Sequence, residues 1–151
     1  MLKSFLSIFR TDEHNKSDYS CREGILEISS IFIRVGKLDN HLDKIEIETI
    51  KELLFKRFNI EKDKLDLILK EAEEHESNIN DNVQLTRKIK NFINYEERYE
   101  LLKDTWKIIL SDKVKSQEEE SYMRLLCKLL GLSDKDNALA RKEIIQSNEN
   151  K

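Results

Sequence analysis

Apolar residues recur at spacings of three and four along most of the chain, the signature of helices that bury one face. The densest stretch carries Ile25, Leu26, Ile28, Ile31, Phe32, Ile33 and Val35. A helix apolar on nearly every side predicts a buried position at the centre of a bundle. Ser20 and Glu23 have capping-box spacing and are expected to open it, and Gly36 to end it in the left-handed conformation. Asp43 and Glu46 predict a second start, followed by Ile47, Ile50, Leu53, Leu54 and Phe58 on one stripe. A third helix is expected from Lys62, with Leu65, Ile68, Leu69 and Ala72 inward and an acidic run, Glu71 to Glu76, facing solvent. Asn80 or Asp81, Asn94 with Glu97, Ser116 with Glu119, and Ser133 mark four further starts. Gly131 is expected to close the sixth helix.

The chain has no proline and only three glycines, which leaves hairpins without their turn residues. The expected fold is all-α, a compact bundle of about seven helices. Its organisation reads as an apolar segment and polar linker over 1–19, one helical domain over 20–146, and a disordered tail over 147–151. A shift of 72 residues lays Leu53–Ile60 on Leu125–Leu132 and Glu46 on Glu118, which suggests an internal duplication with pseudo-two-fold symmetry and neighbouring acidic loops.

Charge narrows the partners. Basic and acidic residues, 27 and 30 of them, are interleaved and leave a net charge of −3, so no stripe exists to attract a phosphate backbone and nucleic acid is not expected. Cys21 and Cys127 stand far apart without a CxxC, as expected of reduced thiols in a cytoplasmic protein. Residues 1–10 hold Leu2, Phe5, Leu6, Ile8 and Phe9, a run too short for a secretory core or a bilayer span. Packing on the domain is the expectation for this segment, and weak association with a membrane surface the alternative. No phosphate loop, HExxH or paired nucleophile and base presents itself, so no enzyme is expected.

Asp39, Asp43, Glu46, Asp112, Glu118, Glu119 and Glu120 form the one acidic constellation attached to loops. A hard divalent ion, calcium or magnesium, takes six or more oxygens, which two juxtaposed loops could supply. Capping alone also explains Asp43, Glu46 and Glu119, because a helix's first turn favours acids whatever the function. No EF-hand is present, since its bidentate Glu position falls on Ile50. His75 lacks the Glu-x-x-His spacing of di-iron bundles and reads as part of a solvated acidic face, and His41 as an exposed loop residue. Trp106 and Tyr99 share an apolar stripe and are expected in the core.

These residues resemble the tellurite-resistance protein B family in its small TerB-like form, from Ile25 to about Ile144. Gly36-Lys37-Leu38-Asp39, Glu46 and Phe58 match the family's first loop and helix, and Met1-Leu2-Lys3 its apolar lead. Asp112-Lys113-Val114, Glu119-Glu120 and Leu129-Leu130-Gly131-Leu132-Ser133 match its second half. The resemblance implies a fold of about seven helices, a link to tellurite and other chemical stress, and a paired acidic surface that binds metal through Asp39, Asp43, Glu46, Asp112, Glu119 and Glu120. Val35 stands where the family's first loop has Asp, and Lys113 where its second has Gly. Both changes lower the affinity for a hard dication. The implied function is a stress-associated accessory protein that binds metal or a protein partner through its acidic loops; the alternative is an interaction or homodimerisation module in which the acids only cap helices.

Overall fold

The computed structural model describes residues 15–38, 42–79, 81–112 and 116–149, with backbone alone for 15–21 and 112. The expectations that fall on Met1–Arg10, Asp39, His41, Lys113 and Val114 lie outside the described residues. Seven α-helices run along that chain: α1 (Asn15–Gly36), α2 (Lys44–Phe58), α3 (Lys62–Asn78), α4 (Asn82–Phe92), α5 (Tyr95–Ile109), α6 (Gln117–Leu129) and α7 (Asp134–Glu149). A 3-10 turn, Leu110–Asp112, follows α5, and the described residues include no strand.

Helix α1 is the axle of the molecule, packed by α2, α3, α4 and α5, while α7 lies mainly on α5. Ile31, Phe32, Ile33 and Val35 are at most 1% exposed, as expected of a helix with no polar face. They join one continuous core with Ile50 and Leu54 of α2, Leu85 and Ile89 of α4, Leu102, Trp106 and Ile109 of α5, and Met123 and Leu126 of α6. Trp106 belongs to that core, and its indole N–H donates to Asn137 Oδ1 of α7 at 2.9 Å. Tyr99 packs half-buried against it.

The local start signals hold at four of the six expected places and also at one with a choice. Asp43 with Glu46 and Ser116 with Glu119 form complete capping boxes, Asn94 accepts from the Glu97 amide, and Ser133 exchanges hydrogen bonds with Asp136. Asp81 caps α4 through the Val83 amide. Ser20 is the exception. The helix it was expected to open starts upstream at Asn15, so the polar stretch 15–19 is helix rather than linker, because nothing in it breaks the helical backbone. At the other end α7 continues through Ser147, Asn148 and Glu149, into the expected tail, for the same reason.

Glycine does different work from that expected at Gly36. It closes α1 without a left-handed φ, and a Cβ there would stand 2.3 Å from Leu42 Cδ1, so its smallness lets the following segment fold back onto the helix. Gly131 does adopt φ 76°, and Asn59, unanticipated, makes the same left-handed turn at φ 53° to end α2. Gly24 sits inside α1, where glycine is costly, because the Phe92 ring of α4 lies against its backbone.

Polar side chains enter the core in pairs. Arg57 of α2 clamps Asp104 of α5 with two bonds, Nε to Oδ2 at 2.8 Å and a terminal nitrogen to Oδ1 at 2.9 Å, and reaches Glu100 at 3.0 Å. Burial pushes the Asp104 carboxyl up, more than the guanidinium draws it down. Burial works to lower Arg57, and its bonds to Asp104 and Glu100 outweigh it and raise it. His75 corrects the solvated-face expectation. Its Nε2 lies 2.9 Å from Oε1 of Glu27, a residue of α1 only 1% exposed, with Lys88 Nζ at 3.5 Å from the same oxygen.

Two measurements probe this packing. Gly24→Ala places a methyl 2.4 Å from the Phe92 ring, and a cost of roughly 1–3 kcal/mol in urea unfolding is expected, as for other overpacked sites. Glu97 is buried, its Oε2 has no hydrogen-bond partner among the described residues, and burial raises its carboxyl above the ordinary 4.5. The folded state therefore prefers the protonated acid: there is no penalty below pH 4.5, and a full one above the raised value. Glu97→Gln is expected to melt above the wild type at pH 7, with the gap closing as pH falls to 4.5. A gap independent of pH would contradict this.

Candidate functional site

The site to be tested is the end of the bundle that carries the two bends, 37–43 between α1 and α2 and 110–116 between α5 and α6. The Arg57 pairs show that α2 and α5 run antiparallel, since a residue near the end of α2 meets residues early and midway along α5. The start of α2 then lies beside the end of α5, and the 3-10 turn after α5 packs on α2. Among the described residues, the start of α2 and the 3-10 turn after α5 are neighbours at one end of the molecule.

Arg34 ties this end together. Near the C-terminus of α1 it ion-pairs with Glu76 at 3.1 Å, donates to the main-chain carbonyls of Glu76 and Ile79, and reaches Asn82 Oδ1 at 2.6 Å. The last carbonyls of a helix lack intrahelical partners, so this guanidinium closes the end of α3 from another helix. Tyr122 of α6 shares the Asn82 oxygen at 3.4 Å, and burial pushes its hydroxyl up to about 12. Lys37 adds ion pairs to Glu73 and Glu76. One turn before Tyr122 stands Glu119, so α6 brings its capping carboxylate to this same end.

Glu46 is 2% exposed and Glu119 is 3%. Each gives one oxygen to its cap amide, Glu46 Oε1 to Asp43 N at 3.4 Å and Glu119 Oε1 to Ser116 N at 2.9 Å. The second Glu46 oxygen faces Gly36, 3.5 Å from where a Cβ would be. Asp43 is half-buried and caps through the Glu46 amide at 2.8 Å. Glu120 is half-buried and Glu118 exposed. Glu46, Glu119 and Glu120 each hold a further interaction, so none is a free carboxylate. Asp39 and the side chain of Asp112 lie outside the described set. Among the described residues no group of three or more His, Cys, Asp or Glu stands ready to hold an ion.

The suggested internal duplication is not confirmed by burial. A shift of 72 pairs buried Leu54 with Leu126, Phe58 with Leu130 and Ile60 with Leu132, but lays buried Glu46 on exposed Glu118 and buried Leu53 on exposed Leu125. A shift of 73 pairs Glu46 with Glu119 and Leu53 with Leu126, but lays buried Phe58 on exposed Gly131, so neither register holds throughout. Sequence reading also missed the Arg34, Arg57 and Glu27–His75 pairs. The only local signal was a basic residue in the last turn of α1 and of α2.

Seven helices packed on one continuous core, with α1 at its centre, define an all-α domain. The chain matches the family described as tellurite resistance protein TerB over residues 26–142, and it belongs to that family. No curated protein and no solved structure matches the chain. No helix among the described residues is long and apolar enough to cross a membrane.

Arg34→Lys keeps the charge and loses the planar fork that serves Glu76, Ile79 and Asn82 at once. A loss of about 2–3 kcal/mol is expected from stranded buried acceptors, read by denaturant unfolding. Faster amide exchange should be confined to the ends of α1 and α3. A cost under about 0.5 kcal/mol would show that Arg34 holds nothing, as for an ordinary surface substitution.

Proposed function

We propose that this TerB-family chain is a non-catalytic, cytoplasmic, stress-associated accessory protein that holds a divalent cation, calcium or magnesium, between its two bends. The observation that carries the reading is the burial of Glu46 and Glu119, each the third residue of its helix, at one end of the bundle. Capping alone is satisfied by an exposed Glu, because the amide needs one oxygen and the helix dipole falls off within a turn. A cation drawing on both buried carboxylates would add its charge to the interactions that each already holds. Asp43 and Glu120, half-buried beside them, with Asp39 and Asp112, would contribute further oxygens to the shell of six or more that such ions take.

The ligand set is poor in charge, since Val35 and Lys113 replace an acid and a glycine, so the affinity is set at the weak end, about 10⁻⁴–10⁻³ M. A ligand bound only by the folded state stabilises it by RT ln(1 + [L]/Kd), about 1.4 kcal/mol at ten times Kd. For a chain of this size that is a rise in Tm of roughly 3–5 °C. Calcium or magnesium at 10 mM, about ten times Kd at the weak limit of that range, is therefore expected to raise Tm by at least that amount, and the double variant Glu46→Gln with Glu119→Gln to abolish the rise. Glutamine keeps the capping geometry, so the variant should still fold.

The second reading is an interaction or homodimerisation module in which these acids only cap helices. It is favoured by the two complete capping boxes, which already engage one oxygen of each glutamate. An unchanged Tm in millimolar metal, or an equal rise in the double variant, decides for it.

A further inference from the structure

A groove of about 580 Å³ opens between the first half of α1 and the start of α3, well away from the bends. Ile25 and Leu26 of α1, Phe58 and Ile60 at the α2–α3 turn, and Leu67 and Ile68 of α3 form its walls. Leu67 is 58% exposed. The rim is polar, with Arg22 and Glu71 paired across it at 3.1 Å. An apolar trough rimmed by charge is the form of a site that receives an amphipathic segment.

We propose that the occupant is the chain's own residues 1–10. The described chain starts at Asn15, seven residues before Arg22 at the rim, or about 10 Å along the helix axis. The segment is therefore tethered at the mouth of the groove. Residues 11–14 span up to about 13 Å, enough to reverse direction. A ten-residue helix folded back along α1 would cover about 15 Å, enough to carry Leu2 and Phe5 to the level of roughly residues 20–24. Leu2, Phe5, Leu6 and Phe9 fall at i, i+3, i+4 and i+7 and make one apolar stripe, with Lys3, Ser4, Ser7 and Arg10 off it. A trough between two helices accepts such a stripe. So short a tether gives a millimolar effective concentration, so a modest apolar contact suffices to hold the segment in place.

Labelling of a thiol introduced by Leu67→Cys tests this, in the full chain with Cys21→Ser. Cys127 is buried, and burial pushes its thiol up to about 11, which keeps it out of the reaction. Maleimide is expected to react at least tenfold more slowly in this chain than in one that also carries Leu2→Ser, Phe5→Ser and Leu6→Ser. A thiol introduced by Leu139→Cys on α7, also at an exposed position, should label equally in both. Equal rates at the Leu67 position overturn the proposal. Protection that disappears on dilution from 100 μM to 1 μM overturns it in favour of a second copy of the chain. A groove that labels fast while the segment binds vesicles of phosphatidylcholine and phosphatidylglycerol overturns it in favour of a membrane surface.

Discussion

Everything in this fold depends on the burial of α1 from Gly24 to Gly36. Polar side chains in this buried stretch are shut off from water, so a charged one is stabilised by a partner on a neighbouring helix. Ser30 solves this locally, donating to Leu26 O at 2.7 Å. Glu27 and Arg34 cannot. Glu27 requires His75 and Lys88, and Arg34 requires Glu76, Asn82 and the end of α3, so these two side chains fix the register of α3 and α4 on the axle. Apolar contact alone tolerates sliding; a buried charge with one available partner does not.

The same demand shapes the end that carries the bends. Arg34 closes the α3 terminus, Asn82 passes that constraint to Tyr122, and Tyr122 stands one turn from Glu119. The buried cap glutamates therefore sit on helices already joined to neighbours: α2 by the Arg57 ion pairs to α5, and α6 by the Tyr122 hydrogen bond to Asn82 of α4. Such rigidity suits a binding site whose ligands must be held at fixed distances. The groove near the start of α1 is the converse, apolar and open, where shape and burial rather than charge select the occupant.

Helix number, core stripes and most caps were legible in the residues. Asp43 with Glu46 and Ser116 with Glu119 announce their helices because the capping box closes within four residues. Ser20 with Glu23 has the same letters and opens nothing, since the polar stretch before it is free to be helical and the box does not exclude an earlier start. Gly36 was read as a left-handed stop and proved to be a clearance for Leu42, a contact that the letters around it do not contain. The acidic loops were visible as composition, but which carboxylates turn inward was not: Glu119, rather than Glu118, is the buried counterpart of Glu46.

The sequence by itself determined the periodic and the adjacent: the apolar stripes, five capped starts, the left-handed Gly131 and the family to which the pattern belongs. These depend on interactions that close within a turn or two of helix, so the information lies in neighbouring letters. Only the tertiary structure decided that Glu27 meets His75 and Arg57 meets Asp104, partners 48 and 47 residues apart. With 57 charged residues in the chain, almost any such pairing is compatible with the composition. The choice among them is made by helix packing, which brings α3 and α4 to Glu27 of α1 and α5 to Arg57 of α2, because a buried charge is held only by the partners that packing puts within reach.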